Sequence, residues 1–206
     1  MTGVASRIEF FFDISSPWTY LAFSQIETLA ERYGAELEYR PIIVGGVFNA
    51  VNQQLYETRA AMDGPKLAYT LKDLQDWADL YGLVITWPDV FPLNAVKLMR
   101  GALIAQAEGC LRTYAQLAFE RYWGQGADLS QMADLRDLAT TVGLDADTFE
   151  AGLADETVKA ALRANTDELI ARGGFGSPTV FVDETDMFFG NDRLHLIAAK
   201  LTGKVG

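Results

Sequence analysis

FFDISSPWTYLA, residues 11 to 22, decides the fold. The run that leads into it, RIEFFFDI (residues 7 to 14), places Phe10, Phe11 and Phe12 side by side. Such a run has no polar face, so it predicts a strand buried on both sides. From Trp18 the period changes, and Trp18, Leu21, Ala22, Gln25, Ile26, Leu29, Ala30 and Tyr33 recur at helical spacing, with Gln25 the one polar exception. Ser16 suits the N-cap, Pro17 the first helical position and Gly34 the stop. At strand-to-helix turns of this kind other proteins carry Cys-x-x-Cys. Here the matching tetrapeptide is Ser16-Pro17-Trp18-Thr19, which has no sulfur.

Working outward, AELEYRPIIV (35 to 44) alternates Leu37 and Tyr39 with Glu36, Glu38 and Arg40, as a strand does. The first 45 residues therefore make a strand–helix–strand unit, expected to be parallel and right-handed. GGVFNAVNQQ (45 to 54) reads as a glycine-bearing loop. Asp63 and Pro65 open a helix carrying Leu67, Leu71, Leu74, Trp77, Ala78 and Tyr81, which stops at Gly82. VITWPDVFPLN (84 to 94) is a proline-interrupted connection. Asn94 suits the next N-cap, with helices over 95–108 and 111–123. Ser130, with Leu129 in a staple position before it, starts another. Two more follow near 145–153 and 155–172. SPTVFVD and MFFG, joined by a short polar turn, predict an antiparallel hairpin. A last helix runs from about Asn191 to Leu201.

The order is βαβ, a helical block, then ββα. The spacing implies an α/β fold in which residues 1–45 and 174–206 form one thioredoxin-like layer, interrupted by an all-α insertion over 46–173. Both ends of the chain must then meet in one sheet.

Composition narrows the function classes. The 206 residues hold 17 Lys and Arg against 28 Asp and Glu, a net charge of −11. Such a chain has little general attraction for nucleic acid or an anionic membrane. An anionic ligand would need a local feature, such as a helix N-terminus or one placed arginine. A single Cys, Cys110, rules out an intrachain disulfide. One His and one Cys do not furnish a conventional zinc site, so no metal is expected. The start MTGVASRIEF has no apolar signal-peptide core, and no stretch approaches a membrane span. A cytoplasmic protein is expected.

Three stretches carry chemistry. Ser16, at the start of a helix, sits where backbone N–H groups and the helix dipole favour negative charge. Its own hydroxyl has too high a pKa to ionise, and no nearby His offers a base. It can still donate a hydrogen bond to a thiolate that arrives with a ligand. In GGFGSPTVFVD, Pro178 opens a strand and Ser177 before it is extended. In a thioredoxin layer this proline is cis and faces the first helix, leaving the preceding backbone open to a peptide. In FFGNDRL, Gly190 permits a turn and Asn191 or Asp192 caps the last helix. Asp192 can also hold a ligand ammonium group, with Arg193 near an anionic end. Trp87 and Phe91 in the proline-rich connection are candidates to line an apolar cleft above Ser16.

Together FFDISSPWTYLA, GGFGSPTVFVD and FFGNDRL around a helical insertion resemble the 2-hydroxychromene-2-carboxylate isomerases and the related kappa-class glutathione transferases. These belong to the disulfide-oxidoreductase-like branch of the thioredoxin fold. The resemblance extends over nearly the whole chain. It implies that glutathione supplies the missing sulfur, that Ser16 holds and activates its thiolate, and that Ser177 and Pro178 meet its cysteinyl part. It also implies that Gly190, Asn191 and Asp192 bind its γ-glutamyl end. The substrate it implies is a small aromatic conjugated carboxylate, and the assembly a homodimer. Many members have a lysine for the substrate carboxylate where this chain has Asn49. A glycine–asparagine pair that follows in the family is replaced by VNQQ, so Asn52 or Gln53 takes the asparagine's place. Arg59, Lys66 or Lys97 are the cations that could stand in for the lysine.

Overall fold

The computed structural model describes residues 6–51 and 63–205. Its core is a βαβ unit of β1 (Arg7–Phe12), α1 (Pro17–Tyr33) and β2 (Glu36–Pro41). β1 and β2 run parallel from Arg7 opposite Glu36 to Phe12 opposite Pro41. On its other edge β1 pairs antiparallel with β3 (Thr179–Val182), from Ile8 opposite Val182 to Phe11 opposite Thr179. β4 (Asp186–Phe189) continues the sheet antiparallel to β3, giving the order β2-β1-β3-β4. The two ends of the chain thus lie side by side in one mixed sheet, as their strand signals predict.

The triple phenylalanine explains itself in this arrangement. Ile8, Phe10 and Phe12 belong to the large core, where Phe12 lies 6.0 Å from Phe23 of α1, between ring centroids. Phe11 faces the other way, into a smaller core with Ile42, Val47, Leu169 and Phe181. With helices over both faces, the strand needs no polar side.

Between β2 and β3 the described chain is helical: α2 (Val44–Val51), α3 (Gly64–Tyr81), α4 (Val96–Ala107), α5 (Leu111–Phe119), α6 (Met132–Thr141), α7 (Ala146–Leu153) and α8 (Glu156–Ala171). After β4 a 3-10 turn (Asn191–Arg193) leads into α9 (Leu194–Leu201). No helix among the described residues is long and apolar enough to cross a membrane.

Three local expectations are corrected. The stretch expected to be a glycine-bearing loop begins as α2, because Val47 and Phe48 are buried and the Val44 N–H is bonded by the Asp13 carboxylate. Tertiary burial overrides the poor helix propensity of Gly45 and Gly46. The N-cap of α4 is Ala95 and not Asn94, whose Oδ1 instead accepts from Val96 N–H at 3.3 Å. α6 is capped by Gln131, one residue after Ser130, and Leu129 ahead of it is buried as a staple should be.

α5 runs into a π-helical turn, Glu120–Gly124. It buries Tyr122 and Trp123, and the Trp123 indole donates to the Ile14 carbonyl at 2.8 Å. The wider turn therefore braces the residue just ahead of Ser15 and Ser16.

The end of α8 is fastened to the sheet by a buried ion pair. Glu9, only 3 % exposed on β1, takes both Arg172 guanidinium nitrogens at 3.2 and 2.6 Å. The same guanidinium lies 3.8 Å from the Phe181 ring centroid and donates to the Glu184 carbonyl. Removing one partner of a buried pair leaves a costly uncompensated charge. Arg172→Met is therefore expected to destabilise the protein by roughly 3 kcal/mol, read from urea unfolding. A loss within experimental error would show that Arg7, 3.8 Å from Glu9, already neutralises the carboxylate.

Candidate active site

The site is built at the carboxyl end of β1, where the strand turns into α1. Ser16 is the N-cap of α1 in extended conformation (φ −102°, ψ 121°), and its Oγ accepts from Thr19 N–H at 3.3 Å. The Ser16 hydroxyl donates to the Ser177 carbonyl at 3.2 Å. Both bonds are long, so this hydroxyl is lightly held and open to a stronger acceptor. The positive end of the α1 dipole lies at the same point.

Ser177 comes from the other end of the chain, two residues before β3, and its bond to Pro178 is cis. Its Oγ accepts from Asp13 N–H at 3.0 Å and shares a 2.8 Å hydrogen bond with Thr19 Oγ1. These bonds fix the Ser177–Pro178 segment directly across from the start of α1.

Asp13 carries the turn itself. Ser16 N–H donates to its carbonyl at 3.2 Å. Carboxylate Oδ1 accepts from Ser15 N–H and from the Ser15 hydroxyl, each at 2.8 Å, and Oδ2 accepts from Val44 N–H at 2.8 Å. One buried carboxylate therefore joins the strand end, the start of α1 and the start of α2. Burial pushes this carboxyl above its ordinary range, against the lowering effect of the bonds from Val44 and Ser15.

A cavity of about 670 Å³ opens over these residues. Asp13, Ser15, Ser16 and Ser177 form its floor, and the first turns of α2 and α4 form two sides. Leu67, Leu71 and Leu74 of α3 and the proline-rich connection close it. Trp87 and Phe91 line its mouth, 49 % and 42 % exposed, with ring centroids 4.9 Å apart. Each also meets buried Trp123, at 5.6 and 6.0 Å. Two partly exposed rings backed by a third make a surface on which a planar conjugated molecule can stack.

The structure thus gathers Ser16, Ser177, Asn49, Trp87 and Phe91 around one cavity. Pro178, Gly190, Asn191 and Asp192 lie beside it rather than in its lining. Their turn is tied to the site by Gly190 N–H donating to the Pro178 carbonyl at 3.1 Å. Gly190 has φ +106°, and a Cβ there would come 2.6 Å from Asp192 Oδ1, so glycine is required. Asp192 pairs with Arg193 at 3.0 Å. Asn191 is buried, and its side chain lies against the Tyr81 phenol. The half-buried Asp192 carboxylate beside it fits a ligand bearing an ammonium group. Lys66 and Lys97 are exposed and do not line the cavity, and Cys110 lies between α4 and α5, away from it. Asn52, Gln53 and Arg59 lie outside the described residues.

Sequence reasoning missed Asp13, Ser15, the start of α2 and the brace from Trp123. Asp13 had a signal, since it is the one charge between Phe12 and the capping serines. Trp123 had none, because at helical spacing it reads as core.

Similarities to other proteins accord with this geometry. The sequence profile of the DSBA-like thioredoxin domain matches residues 7–202. A 2-hydroxychromene-2-carboxylate isomerase from Sphingobium xenophagum is 32% identical over 96% of this chain and 99% of its own length. The kappa 1 glutathione S-transferase of Rattus norvegicus is 27% identical over 98% of this chain and 94% of its own. Among solved structures, that of a 2-hydroxychromene-2-carboxylate isomerase superposes with a TM-score of 0.82 at 28% identity, covering 96% of this chain and 95% of the other.

The raised Asp13 carboxyl gives the fold a pH signature. A carboxyl that ionises less readily when folded binds protons on folding, so its contribution is complete below its ordinary value of 3.8 and is lost as pH rises through the higher folded value. Urea midpoints of the wild type should therefore fall relative to those of Asp13→Asn as pH rises through that window. A difference independent of pH would contradict it.

Proposed function

This chain belongs to the DSBA-like thioredoxin family, among the 2-hydroxychromene-2-carboxylate isomerases, and on that footing we propose that it is a glutathione-dependent cis-trans isomerase of small aromatic conjugated keto-acids. The observation that carries the reading is a serine N-cap in place of a redox cysteine, holding its hydroxyl loosely beside the Ser177 carbonyl at the floor of an aromatic-walled cavity. Ser16 is the catalytic residue, its hydroxyl donating a hydrogen bond to the ligand's thiolate sulfur. With Ser177 and Pro178, it meets the cysteinyl part. Gly190, Asn191 and Asp192 hold the γ-glutamyl end. Glutathione held there would supply a nucleophilic sulfur, the chemistry that reversible addition to a conjugated double bond requires.

The chain's own part is electrostatic and geometric. The α1 N-terminus and Ser16 stabilise negative charge on sulfur. Trp87 and Phe91 orient the aromatic ring over the floor. Asn49, with Asn52 or Gln53, takes the polar end of the substrate. A homodimer in the cytoplasm, with a thioredoxin-like unit of 1–45 and 174–206 around a 46–173 insertion, completes the proposal.

Mixing the protein with 2-hydroxychromene-2-carboxylate, with and without glutathione, tests the reading by ultraviolet absorbance. Conversion should require glutathione and leave it intact. Ser16→Ala should slow turnover roughly 10²–10³-fold, the cost of losing one oxyanion-type donor, with the fold retained. Near-normal activity of that variant would overturn the role of Ser16. Net consumption of glutathione would mark the reaction as a transfer, the second reading favoured by the kappa-class relatives.

A further inference from the structure

On the premise that this site binds glutathione, we propose that Asp13 is the proton acceptor for its thiol, reached through the Ser15 hydroxyl. A thiol becomes nucleophilic only by losing its proton, and the site must provide somewhere for that proton to go. Ser16 is not its acceptor, because a serine hydroxyl is too weak a base to keep a second proton, and its own partners, the Ser177 carbonyl and the Thr19 N–H, cannot carry one away. Among the described residues lining the cavity, Asp13 alone has an ionisable side chain. It is 1 % exposed, and the Ser15 hydroxyl, which also lines the cavity, donates to its Oδ1 at 2.8 Å.

The step balances without any further reactant. As the thiol proton moves to Ser15 Oγ, the proton already on Ser15 Oγ moves to Asp13 Oδ1. The S–H bond and the old Ser15 O–H bond break, and a new Ser15 O–H bond and a carboxylic acid O–H bond form. One negative charge passes from the carboxylate to the sulfur, and the total charge of the cavity is unchanged. That matters here, since two anions enclosed together in an apolar cavity oppose each other's ionisation. After the transfer the remaining charge sits on sulfur, where Ser16 and the α1 dipole favour it.

The surroundings of Asp13 are arranged for such an exchange. α2 meets the carboxylate with a backbone N–H of Val44 and contributes no charged side chain. The segment before β3 contributes the neutral Ser177 hydroxyl. The π-helical turn contributes Tyr122, whose phenol is pushed up to about 12, mainly by burial, with smaller parts from the Asp128 charge and then the Asp13 charge. α4 presents the Met99 sulfur to the adjoining Ile14 N–H at 3.4 Å. No cation among the described residues acts on the carboxylate, and burial leaves it readier to take a proton than an exposed aspartate.

The test counts protons rather than turnover. Glutathione binding is followed by calorimetry in buffers of different ionisation enthalpy near neutral pH, with the far-ultraviolet thiolate band read in parallel. An infrared difference spectrum on glutathione addition reports carboxylic acid formation. In the wild type the thiolate band should grow with almost no proton released, and an acid carbonyl band sensitive to carbon-13 aspartate should appear. In Asp13→Asn the infrared band should vanish and thiolate formation should release a full proton per site. A wild type that forms thiolate with full proton release and no acid band would overturn the proposal while leaving glutathione binding in place. No binding heat at all would overturn both.

Discussion

The hydrogen bond from Asp13 N–H to Ser177 Oγ, 3.0 Å long, joins two points separated by 164 residues, and everything at the site hangs from it. It is possible because β1 and β3 are neighbours in the sheet, which places the end of one strand beside the start of the other. Thr19 locks the same Ser177 hydroxyl from α1, and the Asp13 carboxylate reaches across to α2. Three segments that are far apart in sequence are thereby held at one junction with few degrees of freedom. The cavity is the space that this junction leaves between α2, α3 and α4.

That junction makes a chemical environment from ordinary parts. A helix N-terminus favours an anion, a serine cap supplies a mobile hydroxyl, and a buried carboxyl sits within one hydroxyl of the cavity. Rings at the mouth supply stacking area. The protein's overall charge of −11 gives no help to an anionic ligand, so the attraction has to be local. Placing α1, α2 and α4 with their first turns towards the cavity provides it.

Much of this could be read in the sequence, and the rest could not for specific reasons. The buried strand, the cap at Ser16, the stop at Gly34 and the meeting of the chain ends all follow from local patterns. α2 was hidden because Gly45 and Gly46 signal a turn, while the forces that make them helical are the burial of Val47 and Phe48 and a bond from a residue 31 positions earlier. Ser16, Ser177, Asn49, Trp87 and Phe91 were identifiable as candidates, but their convergence is a property of the sheet order. Asp13 was overlooked because an acid after a strand usually reads as a solvated turn residue, and only the fold shows it enclosed.

The central claim is that a serine hydroxyl serves a borrowed thiol. The direct measurement is the pKa of glutathione's thiol while bound, followed by its thiolate absorbance in the wild type and in Ser16→Ala. The account predicts a value well below the ordinary thiol range of about 8.5 in the wild type, rising towards it when the hydroxyl is removed. A bound thiol that titrates at its ordinary value in both proteins would contradict it.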